Sequence, residues 1–256
     1  MLPERPWETE PLLRYVAGVC FCLSLGALCG SALLPRDAAD TLEGKFFFLV
    51  INAIVLHGGV LLLTGKFLRD HGVGWCAGFG WRRETLLRSL ALGALAVLLA
   101  LPAALTLQGL VQRGMAAAHE QLVANDVKGV DLQPEAQQLV RTLQQTETTE
   151  QRAFFALVAI VLAPLVEEIL FRGILYPAIK QRGYPRTALW GTALVFALMH
   201  ANTATFLPLA FFALVLTWLY ERTGNLLAPM FTHSLFNAAN FLALIYRAEL
   251  EKLLPA

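Results

Sequence analysis

Two adjacent carboxylates, Glu167 and Glu168, end the apolar run 153–166, and Arg172 follows four residues later before the chain turns apolar again. His200 and His233 also lie in apolar stretches, and Asn237 follows His233 by four. Ionisable side chains inside hydrophobic segments are costly and mark functional sites by default. Carboxylates and imidazoles together can move protons and activate water, and an amide can donate to a developing negative charge.

Helical spacing sorts these residues into roles. Glu168 and Arg172 are i and i+4 and face each other, so they read as a structural ion pair. Glu167 points about 100° away around the helix, toward different neighbours. One guanidinium neutralises one carboxylate, so Glu167 needs another purpose or a proton. Phe196 with His200, and His233 with Asn237, are again i and i+4, each pair on one helix face. Phe196 reads as packing, and Asn202 as a helix-end residue.

The elements that must carry these groups are apolar. The 256 residues are 57% hydrophobic and 15% charged, with mean hydropathy +0.57, where a soluble domain carries about a quarter charged residues. Seven apolar runs stand out, at 15–34, 46–65, 89–111, 153–179, 187–201, 204–220 and 226–245. We read them as transmembrane helices, because the alternation of barrel strands is absent. The expected fold class is thus all-α, a polytopic transmembrane bundle of about seven or eight helices. Residues 1–150 would hold the N-terminal helices and a polar amphipathic segment, and 151–245 a four-helix core. Pro164 is expected to kink its helix rather than end it. The polar stretch 112–152 reads as a helical hairpin or surface helix, and 72–81 as a Gly-rich loop anchored by Trp75 and Trp81 at the membrane interface.

A net charge of +1 gives no sign of nucleic-acid binding. Cys20, Cys22, Cys29 and Cys76 form no CxxC pair, so neither a redox motif nor a zinc ribbon is supported. The N-terminus is mixed in charge and its apolar run is long, unlike a cleaved signal peptide.

Basic residues set orientation. One side carries Arg5, Arg14, Lys66, Arg69, Arg82, Arg83, Arg88, Lys180, Arg182, Arg186 and Arg222, while short segments on the other carry Arg36, Lys45, Arg247 and Lys252. The first side is expected to be cytoplasmic, in an inner or plasma membrane, with the N-terminus inside and, for seven crossings, the C-terminus outside. Measured from the turns 181–186 and 221–225, Glu167 and His200 lie about 20 Å deep, Asn237 about 18 Å, and His233 and Arg172 about 12 Å. These depths are consistent with one shared site, expected to open toward the cytoplasm.

The segment APLVEEILFRGIL resembles the EExxxR motif of the CPBP family, the CAAX-protease and bacteriocin-processing intramembrane proteases. FALMH resembles that family's FxxxH motif, and TGNLLAPMFTHSLFN its HxxxN motif. The three occur in order on membrane helices, over roughly 150–240. The resemblance implies an intramembrane endopeptidase acting on a peptide or membrane-protein substrate in the lipid bilayer. It implies Glu167 as the base that activates water with His200, and His233 and Asn237 as the groups that polarise the scissile carbonyl. Glu168, Arg172 and Phe196 would support the site. The cofactor is either none or a divalent metal such as Zn2+. Glu167, His200 and His233 would satisfy a catalytic zinc site with water in the open position, although HExxH is absent.

A lone buried histidine is more often a satisfied structural group than a catalyst, and His57 fits that description; His71 and His119 lie in polar surroundings. The alternative function is a non-catalytic bacteriocin-immunity or regulatory membrane protein on the same scaffold, which has no evident need for the whole Glu, His, His and Asn set. A proton-relaying transporter is a third reading, disfavoured because no inverted repeat relates the two halves.

Overall fold

The computed structural model describes residues 5–34, 41–125, 132–133, 138–146 and 148–246. Among the described residues every regular element is helical. In chain order they are α1 (Thr9–Leu33), α2 (Leu42–Asp70), the one-turn α3 (Trp75–Phe79), α4 (Leu86–Ala124), α5 (Gln138–Gln144), α6 (Thr149–Gln181), α7 (Pro185–Leu198), α8 (Thr203–Thr223) and α9 (Leu227–Ile245).

Each apolar run of the sequence falls within one helix, apart from a few end residues, and the protein is an integral membrane helical bundle. Five helical stretches among the described residues are long and apolar enough to cross a membrane. The runs in α7 and α9 are not among the five, so the expectation of seven spans is met for five of them. The 14 residues of α7 make a rod of about 21 Å, short of the roughly 30 Å hydrocarbon core, and the 19 residues of α9 include the polar His233, Asn237 and Asn240. Arg36, Arg247, Lys252 and, within the 112–152 stretch, 126–131, 134–137 and 147 lie outside the described residues. The helical part of that stretch is the continuation of α4 to Ala124, the short helix α5 and the first residues of α6. The 72–81 segment is not all loop either. It contains α3, and Trp75 and Trp81 stack at 6.3 Å beside Phe79.

Small residues let the helices approach. Gly93, Ala96, Ala100 and Ala104 form one buried stripe on α4, which packs against Leu219, Phe212 and Leu216 of α8 and Ala228 and Phe236 of α9. In lipid no hydrophobic force draws helices together, so such close van der Waals contact carries the association. At Gly93 a Cβ would sit 2.8 Å from Thr232 Oγ1 and 3.2 Å from the Ala228 carbonyl oxygen. Gly80 takes φ +69° in the turn after α3, where a Cβ would collide with the Gly224 carbonyl oxygen at 1.9 Å.

Helix α6 runs through both of its prolines, as expected for Pro164. Each lies just beyond a widened π-helical stretch, Leu157–Leu162 and Ile169–Leu175. Trp7 Nε1 donates to the Gly173 carbonyl within the second π-helical stretch at 3.2 Å and pins the N-terminal segment to α6.

Replacing Gly93 by Val should push α9 away from α4 at the residue next to His233. We expect destabilisation of about 1–3 kcal/mol from overpacking, read as a lowered thermal-unfolding midpoint in detergent. Leu110→Val, at an exposed position of the same helix, is the control and should leave the midpoint nearly unchanged.

Candidate active site

The centre of the site is a carboxylate out of reach of water. Glu168 is fully buried, and its Oε1 accepts from Arg172 Nη1 at 2.8 Å and from His233 Nδ1 at 2.9 Å. Arg172, 1% exposed, spends its remaining donors on α8: Nη2 reaches the Ala213 carbonyl at 3.0 Å and Nε reaches Thr217 Oγ1 at 3.4 Å. Its guanidinium lies over the Phe196 ring, 4.8 Å from the centroid. The expected ion pair is present, but it is not confined to scaffold duty, because the same oxygen also fixes the ring of His233.

Two imidazoles are oriented in the same way. The Phe196 carbonyl, an acceptor only, faces His200 Nδ1 at 2.8 Å, so that nitrogen carries the proton and Nε2 points elsewhere. Glu168 does the same for His233, leaving its Nε2 3.8 Å from Glu167 Oε2. Phe196 packs against both rings, with centroids 4.9 Å from His200 and 5.8 Å from His233. His200 follows the end of α7, and the next residue, Ala201, takes φ +47° to turn the chain into α8. Asn202 caps α8 by accepting from Thr205 N–H at 3.0 Å, the helix-end role expected of it. His57, as its structural reading requires, bonds its own helix, Nδ1 to the Ala53 carbonyl at 2.7 Å.

Asn237 is held by a defect in α6. In the π-helical register Ala163 N–H bonds the Val158 carbonyl five residues back. Pro164 comes next in that register, opposite Ala159, and has no N–H to offer. Asn237 Nδ2 supplies the missing donor to the Ala159 carbonyl at 2.8 Å. One of its two amide hydrogens is thus committed to structure, and the other is left for chemistry.

Glu167, His200, His233 and Asn237 all line one cavity of about 560 Å³. The side chain of Glu167 is 29% exposed, yet its Oε2 is buried and has no hydrogen-bond partner among the described groups. An unpaired carboxylate oxygen facing a histidine nitrogen and an open cavity is an arrangement that can hold and deprotonate water. Among the described residues no three His, Cys, Asp or Glu side chains converge as a metal-binding group. The set Glu167, His200 and His233 does not close into such a site in this arrangement.

The cavity also contains residues that the sequence reading leaves out. Gln108 and Gln112 of α4, Thr205 of α8 and Asn240 of α9 line it, as do Val140 and Leu143 of α5. Asn240 continues the polar face of His233 and Asn237 along α9, a periodicity legible in principle. Gln108 and Gln112 are likewise i and i+4 at the end of an apolar run. The lining extends from Glu167 to Phe155 on α6, to Leu244 on α9 and to Gln112 on α4, in each case away from the 182–184 and 224–226 turns. A depth of about 20 Å from those turns already leaves only about 10 Å to the opposite interface.

Residues 149–239 match the family described as type II CAAX prenyl endopeptidase Rce1-like. The match covers α6 to α9 almost entirely, the helices that carry all three motifs, and that family implies a peptidase. No curated protein and no solved structure matches the chain.

The shared carboxylate and the proline defect make separable predictions. Arg172→Ala should unfold or strongly destabilise the bundle, by about 3–5 kcal/mol, because it leaves a buried charge uncompensated. Asn237→Ala should destabilise by about 1–3 kcal/mol through the orphaned Ala159 carbonyl. Adding Pro164→Ala, which returns a backbone N–H to α6, should recover part of that loss. Thermal unfolding of the single and double variants measures both effects, and no recovery would refute the pairing of Pro164 with Asn237.

Proposed function

Since residues 149–239 belong to the CAAX-protease family of membrane peptidases, we propose that this chain is an intramembrane endopeptidase in which Glu167 activates the attacking water. The observation that carries the reading is the unpartnered Oε2 of Glu167, 3.8 Å from His233 Nε2, on a residue that lines a cavity of about 560 Å³.

In the proposed reaction Glu167 removes a proton from a water held with the help of His200 Nε2. The resulting hydroxide adds to the scissile carbonyl carbon, and the C=O electron pair moves to oxygen. His233, protonated and steadied at Nδ1 by Glu168, donates from Nε2 to that oxyanion, and the free amide hydrogen of Asn237 donates beside it. Collapse of the tetrahedral intermediate breaks the C–N bond, and the proton on Glu167 passes to the leaving amine. Positioned donors of this kind each contribute about 10²–10³ in rate.

Arg172, Glu168 and Phe196 take no proton in this scheme and act by holding His233 and His200 at their angles. The substrate is a peptide or a membrane-protein segment able to enter the cavity in extended form. The same reading places the basic ends of α2, α4, α6 and α8 in the cytoplasm of an inner or plasma membrane, with the N-terminus on that side.

Glu167→Gln should keep the fold, since the amide is isosteric and Oε2 has no partner to lose, and should lower cleavage by about 10²–10⁴. Comparing membrane proteomes of cells carrying the wild-type and Glu167→Gln proteins should reveal fragments made only by the former. Undiminished fragment production by the variant would sink the role given to Glu167.

A further inference from the structure

Beyond the groups given a part in the chemistry, the cavity wall holds a second set of amides. Gln108 and Gln112 stand on α4 and Asn240 on α9, and all three line the cavity. Gln108 and Gln112 are only partly exposed, and among the described groups no hydrogen bond engages either amide. Asn240 Nδ2 donates to the Phe236 carbonyl at 2.8 Å, which leaves its Oδ1 to accept from the cavity. A polar group withdrawn from water costs free energy until it is hydrogen-bonded, so these amides are poised for a partner.

Their spacing says what that partner is. Ala104, Gln108 and Gln112 follow one another at i, i+4 and i+8 and form one row along α4. Each step of four residues rises about 6 Å. An extended chain rises about 3.3 Å per residue and turns the same edge outward at every second residue, about 6.6 Å apart. A segment lying along α4 therefore meets Gln108 and Gln112 with alternate residues in nearly the same register. Each primary amide offers a donor and an acceptor, the two groups that one residue of extended backbone presents on that edge. Main-chain bonds of this kind supply affinity whatever the side chains are.

Helix α9 ties this row to the reacting groups. The two helices run in the same direction, with Gly93 packed on Ala228 and Thr232 near their starts and Ala104 clustered with Phe236 further along. Gln108, four residues past Ala104, is thus roughly level with Asn240, four past Phe236, and Gln112 lies about 6 Å beyond. His233, Asn237 and Asn240 share one face of α9, with Asn240 about 4.5 Å past Asn237 along the axis. Among the described lining residues Glu167 is the single carboxylate and none is Lys or Arg. The wall between the amides is apolar, with Leu105, Leu209 and Phe241, so it suits an uncharged segment.

We propose that Gln108 and Gln112, with Asn240, hold the backbone of an extended, uncharged substrate segment and thereby set its register against Glu167 and His233. The proposal rests on the peptidase reading for the word substrate, whereas the binding itself needs no cleavage.

A pool of neutral octapeptides of Ala, Val, Leu and Ser, each with a biotin and one photoactivatable diazirine leucine, serves as the probe. A second pool has every backbone amide N-methylated, which removes the donors. Both are irradiated with the whole chain carrying Glu167→Gln, in detergent, so that turnover does not consume them, and the cross-links are mapped. The first pool should be captured saturably on residues lining the cavity. Gln108→Met and Gln112→Met keep the length of the side chain without its amide. Together they should weaken capture of the first pool by about tenfold, within what two hydrogen bonds supply, and leave the weaker capture of the methylated pool unchanged. Each single variant should lose about threefold, and the single variants decide if the double variant has no cooperative thermal transition. Equal loss with both pools, undiminished capture by the variants, or no capture by the parent would each overturn the proposal. A failed peptidase assignment appears instead in the proteome comparison of wild-type and Glu167→Gln cells, and the capture result stands apart from it.

Discussion

One oxygen atom organises the core of this protein. Glu168 Oε1 accepts from both Arg172 and His233 in surroundings where an unpaired charge is untenable. A buried ion pair recovers its desolvation only when the remaining donors find acceptors. That requirement explains the rest of the arrangement. The guanidinium must reach the Ala213 carbonyl and Thr217, which ties α6 to α8. Its face must be covered, which brings Phe196 of α7 over it. The second acid–base contact comes from α9 through His233. Four helices thus meet at one cluster in which each guanidinium nitrogen is engaged, His233 adds a second bond to Glu168 Oε1, and among the described groups Glu168 Oε2 has no hydrogen-bond partner.

The irregular backbone of α6 performs a complementary task. Pro164 removes an N–H from the ladder, and in lipid a freed carbonyl must find a donor from another element. Asn237 supplies it to Ala159, and Trp7 bonds the Gly173 carbonyl in the second widened stretch. A helix defect thereby becomes a cross-link, and it holds Asn237 against α6 at the lining of the cavity. The Asn237 amide has two hydrogens, and the geometry assigns one of them to the backbone.

Much of this is legible in the sequence, because membrane segments stand out in hydropathy and because carboxylates there need partners. The pairing of Glu168 with Arg172 follows from i, i+4 spacing, and the gathering of His200, His233 and Asn237 around Glu167 follows from depth and motif order. The bond from His233 to Glu168 is not legible, since the two are 65 residues apart and nothing in either helix states their rotation about the other. Nor can spacing show that Pro164 and Asn237 answer each other across helices, or that α5 closes the side of the cavity.

The shortness of α7 fits the proposed peptidase reading. Under that reading the site needs water, which hydrocarbon excludes, so the bundle would admit a wet cleft from one interface. Helix α7 stops at Leu198, about 21 Å from its start, and the turn at Ala201 carries non-helical backbone at membrane depth. Such backbone is tolerated only where protein or a water-filled cavity satisfies it, and here His200 beside that turn lines the cavity. Were α7 to run on to the far interface, His200 would be enclosed within a continuous helix and the cleft would lose one wall. The short helix, the turn at Ala201 and the cavity wall at His200 thus adjoin one another, and the bonds of the Glu168 cluster tie α6, α8 and α9 together beside them.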